Sequence, residues 1–239
     1  MWPDTRDRLD APELMDDRAI GGRELIEALA QLRLINRLLG AAGPTIEGVE
    51  RLWQQAGCPP HLTILDVGAG SGDMTRALLR WADRRSVSLH ITLLDIHPET
   101  CAAAAAYHRH EPRVTIVCGD LLQPGMQQVD IVTAALFTHH FSAGCLPAVY
   151  RAMQQTARFG VVVNDLQRHA LAWAAIRLAT HLFSRNRMIR HDAPLSVLRG
   201  FQAADLRRLQ HEPGLSRLSF AWRPLFRYMI LVPGAAYAD

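Results

Sequence analysis

The stretch ILDVGAGSGD, residues 64–73, restricts the fold of this chain more than any other feature. An apolar strand runs into three alternate glycines, Gly68, Gly70 and Gly72, and straight on into a helix. Glycine permits the tight turn and lets a ligand approach the backbone, where free helix N-terminal amides point outward. The remaining sequence repeats this strand-then-helix order. Apolar runs at 62–68, 89–96, 113–120, 129–137 and 159–166 alternate with helical patterns at 73–85, 98–110 and 146–157. That spacing makes βαβ units, and the unbroken apolar character of the strands suits burial on both faces. Two later runs, 215–222 and 226–233, are separated by a short turn and should pair antiparallel. The expected fold is α/β: a doubly wound, mostly parallel seven-stranded sheet with an antiparallel last strand.

The pattern divides the chain into four segments. Residues 1–57 hold an arm of some 20 residues, read as flexible or loosely docked, and two helices that act as a lid. The first helix places Leu25, Leu29, Leu32, Ile35 and Leu39 on one face, and the second opens at Pro44 and closes at Gly57. Residues 58–166 are the ligand-binding core. Residues 167–211 are an inserted helical segment: an apolar helix at 168–183, an Arg-rich interruption SRNRMIRH, and a helix at 202–211. Residues 212–239 supply the closing strands.

Composition removes several classes of function. At 239 residues and 49% hydrophobic, the chain can bury a real core. All 26 basic residues are Arg, which excludes Schiff-base and P-loop lysine chemistry. A net charge of +3 spread along the chain gives no nucleic-acid footprint. Cys58, Cys101, Cys118 and Cys145 form no CxxC pair, so a reduced, cytoplasmic protein is expected. The first 17 residues are polar and acidic, unlike a secretory signal. The longest apolar segment, 169–183, contains Arg177 and His181 and falls short of the roughly 20 residues that span a bilayer.

Three acids sharpen the glycine turn. Asp66 lies inside the strand before it, Asp95 ends the second strand, and Asp120 ends the third. A carboxylate in the position of Asp95 is placed to take ribose hydroxyls. Asp120 could accept from an adenine amine, and Asp66 suits an ammonium rather than a pyrophosphate. Together they describe an amino-acid-bearing nucleoside.

ILDVGAGSGD, LLDIHPE, VCGDLLQP and VDIVTAALFTHHF, in that order over about residues 60–166, resemble motifs I, post-I, II and IV of the class I S-adenosylmethionine-dependent methyltransferases, small-molecule type. The resemblance implies a Rossmann-like fold with S-adenosylmethionine as cofactor. It implies that Gly68, Gly70 and Gly72 line the methionine part, and that Asp66 anchors its amino end directly or through water. Asp95 would hold the ribose, Ile96 would pack on adenine, Asp120 would accept the adenine amine and Leu121 would touch the ring. The family often has Glu where Asp95 stands, and the shorter side chain leaves room for a single or water-mediated contact.

The acceptor site of such a sheet lies above the C-terminal ends of the strands. LFTHHF, residues 136–141, leaves the fourth strand there, so His139 and His140 are candidate proton-removing groups or pocket-wall side chains. Successive residues should point to different sides, leaving one of them on the ligand. A metal site is not expected, because neighbouring histidines rarely converge on one ion and Asp165 comes from another strand. Asp165 could orient a histidine, hold a substrate hydroxyl, or cap a helix. Phe137, Asn164, Arg168 and Trp173 are candidate substrate contacts. Arg185, Arg187 and Arg190 read either as a carboxylate-binding group or as a solvated face. An apolar inserted helix over the site favours a small aromatic or polyketide-like acceptor. O-methylation of a hydroxyl is the favoured activity, with C-methylation or a catalytically silent cofactor-binding partner as alternatives. The looser resemblance is to bacterial enzymes of secondary metabolism or quinone-type pathways. The Asp/Asn-Pro-Pro-aromatic signature of amino-methylating enzymes is absent, nucleic acid is not expected as partner, and a homodimer is compatible with the chain.

Overall fold

β1 (His61–Val67) occupies the middle of the sheet because Leu62, Ile64, Leu65 and Val67 leave it no face for water. A computed structural model of the chain describes residues 3–17, 19–123 and 125–234. In it β1 pairs in parallel with β2 (Ser88–Asp95) on one side and β4 (Val129–Ala135) on the other. β3 (Val114–Cys118) extends the sheet beyond β2, and β5 (Ala157–Leu166) beyond β4. β7 (Arg227–Pro233) runs antiparallel along β5, and β6 (Ser219–Arg223) antiparallel along β7. The order is therefore β3-β2-β1-β4-β5-β7-β6, a Rossmann-like, mostly parallel sheet. Its reversal of direction between β1 and β4 opens a crevice at the strands' C-terminal ends.

Two apolar layers cover the sheet. On one face Val49 and Leu52 of α2 (Gly43–Gln55), Leu78 and Trp81 of α3 (Thr75–Arg85), and Ala104 of α4 (Pro98–His108) pack on Ile64, Ile91 and Ile131. On the other, Val149, Tyr150 and Met153 of α5 (Leu146–Thr156) and Leu206 and Leu209 of α8 (Ala203–Gln210) pack on Leu65, Val132 and Val163. Fully burying a side chain such as Val49 or Leu52 is worth about 1.5–3 kcal/mol. α2 is thus part of the sheet's helical layer, which corrects its reading as lid. Gly48 sits so close to Val162 that any Cβ would collide with it.

The cover over the crevice comes from α1 (Gly22–Leu38), α6 (Ala170–Phe183), α7 (Arg187–Arg199) and the N-terminal arm. Leu25, Ala28 and Leu29 of α1 pack on Met188 and Ile189 of α7. Of the stretch SRNRMIRH, residues 184–186 link α6 to α7 and the rest opens α7. Asn186 caps it by accepting from the Ile189 amide at 3.1 Å, and its arginines mask the apolar face formed by Met188, Ile189 and Leu195.

The arm is docked rather than loose. The Leu9 amide donates to the Leu198 carbonyl at 3.2 Å, and the Leu14 and Met15 amides donate to the two Asp192 oxygens at 2.8 and 3.0 Å. Main-chain hydrogen bonds, not apolar periodicity, hold it, so its sequence carries no amphipathic signal. Among the described residues, no helix is long and apolar enough to cross a membrane.

Candidate active site

A cavity of about 1130 Å³ runs from the glycine turn to the cover helices. At one end it is lined by Asp66, Gly68, Gly70, Asp95, Ile96, Asp120 and Leu121. Asp95 ties this end together: its oxygens accept from the Gly70 amide at 2.9 Å and the His97 amide at 3.0 Å. Asp120 accepts from the Leu122 amide at 2.9 Å. Asp66 is fully buried, and burial pushes its carboxyl up to about 7 against the hydrogen bond it accepts from Thr133 at 2.7 Å. A second acid that the sequence did not single out, Asp73, lines the same end and is braced by Asn36 of α1 at 2.7 Å and by Ser71 at 3.1 Å. Burial raises its pKa as well. Two desolvated carboxylates beside a glycine turn favour a cationic ligand group there.

Gly72 lies off the cavity wall. It turns with φ of +78°, and a Cβ there would run into His108 of α4, so its role is helix–strand packing. Gly68, with φ of +61°, makes way for the Phe137 ring, which lines the cavity.

The far end is built where β4 ends. Leu136 adopts a left-handed φ of 55° and turns the chain sharply out of the sheet into a 3-10 turn, Thr138–His140. The turn sets both imidazoles side by side, ring centroids 4.3 Å apart, instead of splaying them as an extended chain would. Asp165, buried at the end of β5, accepts from His139 Nδ1 at 2.7 Å, from the His139 amide at 3.0 Å and from Thr138 Oγ1 at 2.7 Å. His140 Nδ1 is held by Asp16 of the arm at 2.6 Å. Glu13, also from the arm and 5% exposed, lies against both rings, with Oε1 3.5 Å from His139 Nε2 and Oε2 4.0 Å from His140 Nε2. Ser196 of α7 donates to Glu13 Oε1 at 2.8 Å.

Electrostatics follow from these contacts. Burial opposes charge on His139, yet Asp165 and then Glu13 outweigh it and raise its pKa to about 9. Burial likewise opposes ionisation of Asp165, and His139 overcomes it, holding the carboxyl well below the usual range. Asp16 is drawn down to about 2 in the same way, burial losing to His140. Arg227, at the start of β7, enters the cavity wall nearby. It is 4% exposed, and its Nε and Nη1 have no hydrogen-bond partner. Burial lowers its pKa, with Asp165 opposing.

Residues 64–160 match a family model described as a methyltransferase domain. Residues 64–160 thus form a methyltransferase domain. Solved structures of the same fold hold S-adenosylmethionine or SAH. Several solved structures share its fold. The plantazolicin methyltransferase BpumL in complex with SAH superposes with a TM-score of 0.61 at 12% identity, covering 88% of this chain and 96% of that one. The magnesium protoporphyrin IX methyltransferase of Synechocystis PCC 6803 with bound SAH gives 0.53 at 17% identity, over 82% and 85%. The CMeT domain of the citrinin polyketide synthase gives 0.54 at 15% identity; this chain matches it over 72% of its own length but spans only 46% of that chain. No curated protein matches the sequence.

The structure places three of the expected substrate contacts elsewhere. Arg168 is 2% exposed and spent on structure: it donates to the Thr5 and Arg6 carbonyls at 2.9 and 3.1 Å and pairs with Asp205 at 3.0 Å, pinning arm to core. Asn164 is buried and donates to the Ala41 carbonyl at 2.7 Å and Thr45 Oγ1 at 3.0 Å, anchoring α2. Trp173 lies on the face of α6 away from the cavity, under the Arg177 guanidinium 5.0 Å from its ring centroid. The cavity side of that helix carries Ala172, Ala175, Ile176, Ala179 and Phe183, a helical spacing. Of the arginine cluster, Arg187 pairs with Glu24 at 3.4 Å and Arg190 closes the turn before α7 on the Ser184 carbonyl at 2.7 Å.

Glu13, Asp16, Asp73 and Arg227 were not legible as site residues. For Arg227 a signal existed: a charge entering an otherwise apolar strand, FRYMILVP.

Proposed function

We propose that the protein transfers a methyl group from S-adenosylmethionine to a hydroxyl of a small aromatic or polyketide-like acceptor. The observation that carries this reading is the form of the cavity. Its middle is walled by apolar side chains from α1, α6 and the β4 exit. Its ends are a glycine turn with acids and a histidine cluster with Arg227.

At the first end, Asp66 and Asp73 take the cofactor's ammonium, Gly68 and Gly70 its methionine backbone, Asp95 the ribose, and Ile96, Asp120 and Leu121 the adenine. At the other, Phe137 packs on the acceptor ring. Arg227, a buried guanidinium with Nε and Nη1 unpaired, favours the oxygen in its anionic form. The acceptor O–H gives its proton to solvent, the oxygen attacks the sulfonium methyl, a C–O bond forms as the C–S bond breaks, and the electron pair stays on sulfur. Alignment and exclusion of water by the cover supply much of the rate. A polyketide synthase domain and a plantazolicin methyltransferase among the similar structures support an acceptor from secondary metabolism.

The test is incubation with methyl-labelled cofactor and a panel of phenols and hydroxylated polyketides, with mass spectrometry locating the label on oxygen. Tight cofactor binding with no labelled phenol would sink the reading. Label on a ring carbon would replace it by C-methylation, which draws on the same stabilised oxygen anion.

A further inference from the structure

We propose that Glu13, His139 and His140 bind one divalent first-row metal ion, zinc being the best match, with an open coordination position toward the acceptor cavity. The sequence did not suggest this, since the third ligand comes from the arm, far from the histidines in the chain.

The donor set is two imidazole nitrogens and one carboxylate, whose ligand atoms all lie within 4.8 Å of one another. Zinc bonds of about 2.0–2.1 Å put tetrahedral ligands roughly 3.3 Å apart; Glu13 turns Oε1 to His139 Nε2 at 3.5 Å and Oε2 to His140 Nε2 at 4.0 Å, so an ion would draw the three donors together from within 4.8 Å. His139 Nε2 is buried without a hydrogen-bond partner and faces this point. A buried nitrogen left unmatched costs stability unless something occupies the space it faces.

Each donor is also held from behind. Asp165 grips His139 Nδ1 at 2.7 Å, Asp16 grips His140 Nδ1 at 2.6 Å, and Ser196 holds Glu13 Oε1 at 2.8 Å. A carboxylate on Nδ1 fixes the ring so that Nε2 presents its lone pair, the outer support that metal-binding histidines usually have. Charge agrees. Glu13, Asp16 and Asp165 meet one guanidinium at ion-pair distance, that of Arg199, 4.0 Å from Glu13 and 3.1 Å from Asp16. When an ion displaces the imidazole protons, three carboxylates set against Arg199 leave an excess of negative charge suited to a dication. Imidazole donors favour zinc, iron or cobalt over magnesium.

Glu13, His139 and His140 all line the cavity, so an acceptor hydroxyl can fill the open position, where the ion would lower its pKa. That use rests on the acceptor reading above; the site itself does not.

The experiment titrates the full, chelator-treated chain with Co²⁺, following visible absorption and calorimetry. The expected result is one Co²⁺ per chain, displaced by Zn²⁺ and not by Mg²⁺. Glu13→Gln and His140→Ala should abolish the absorption band, and Asp16→Asn should weaken binding by about 10–100-fold. Cofactor binding, measured in parallel, reports that each variant is folded. Absence of a stoichiometric site, or an unchanged spectrum in both Glu13→Gln and His140→Ala, overturns the proposal. A bound metal with no phenol methylated would remove the acceptor reading and leave the site. Full turnover in chelator with no metal bound would do the reverse.

Discussion

Asp165 Oδ1 lies 2.7 Å from His139 Nδ1 while Glu13 Oε1 lies 3.5 Å from Nε2 of the same ring. One imidazole is therefore clasped between a carboxylate of the sheet and a carboxylate of the arm. Asp165 also accepts from Thr138, the His139 amide and the Leu166 amide, so the β4 and β5 exits meet on it. Asp165→Asn keeps the shape but removes the charge and leaves donors facing donors. Breaking a buried pair by changing one partner costs about 3–5 kcal/mol. At roughly 2–4 °C per kcal/mol for a chain of this size, thermal unfolding should fall by about 6–20 °C. An unchanged melting temperature would show that the clasp contributes little to the fold.

Asp66 gives a pH signature to cofactor binding. Burial holds its pKa near 7 in the free protein, and the ligand group it is assigned to is an ammonium. Protons and the ammonium compete for the same carboxylate, so affinity is weakened as pH falls below about 7, approaching tenfold per unit, and is flat just above it. The free fold behaves oppositely. A carboxyl with a raised folded-state pKa contributes stability below its ordinary value of 3.8, and that is lost as pH rises through about 7. Calorimetric titration with S-adenosylmethionine from pH 5.5 to 7.5 checks the first effect, and Asp66→Asn should abolish its slope. A slope retained in Asp66→Asn would assign the pH dependence to another group, Asp73 first.

The parts legible in sequence are those where local chemistry and global position coincide. ILDVGAGSGD, LLDI and VCGD each couple strand patterning to a turn and an acid, so β1, β2 and β3 could be read directly. The closing strands were legible from two apolar runs beside a short turn, now β6 and β7. The cover was not. α7 hides behind the arginines of its first turn, and the arm docks by backbone amides on Asp192. Asn164 and Arg168 stand one residue to three from Asp165, at the rim of the site, yet face structural partners. Sequence adjacency to a catalytic strand end does not fix the direction of a side chain.

Asn164 makes that last point testable. Its amide holds the Ala41 carbonyl and Thr45 Oγ1 at the start of α2. Asn164→Ala leaves those buried acceptors without a donor, at a cost of about 1–3 kcal/mol. Stability to urea should drop with the slope of the transition unchanged, while KM for the acceptor stays the same. A raised KM at unchanged stability would return Asn164 to the substrate-binding surface.

Arg227 should show the opposite exchange. A guanidinium 4% exposed, with two nitrogens unpaired, is expensive in the free protein, since taking an ion out of water costs several kcal/mol unless a partner repays it. Asp165 exerts an attraction on it but is committed to His139 and Thr138. The partner that would repay the cost is an anionic group of the acceptor in the cavity. Arg227→Met keeps the length and removes the charge. It should raise the melting temperature of the free protein and lower kcat/KM by about tenfold or more, the loss of one charge-assisted hydrogen bond worth roughly 1.5–3 kcal/mol. Binding of S-adenosylmethionine should be untouched, because the acid that acts on Arg227 is Asp165 and none of those assigned to the cofactor. A variant that is less stable and equally active would mean that Arg227 supports the fold through Asp165 and takes no part in holding the acceptor.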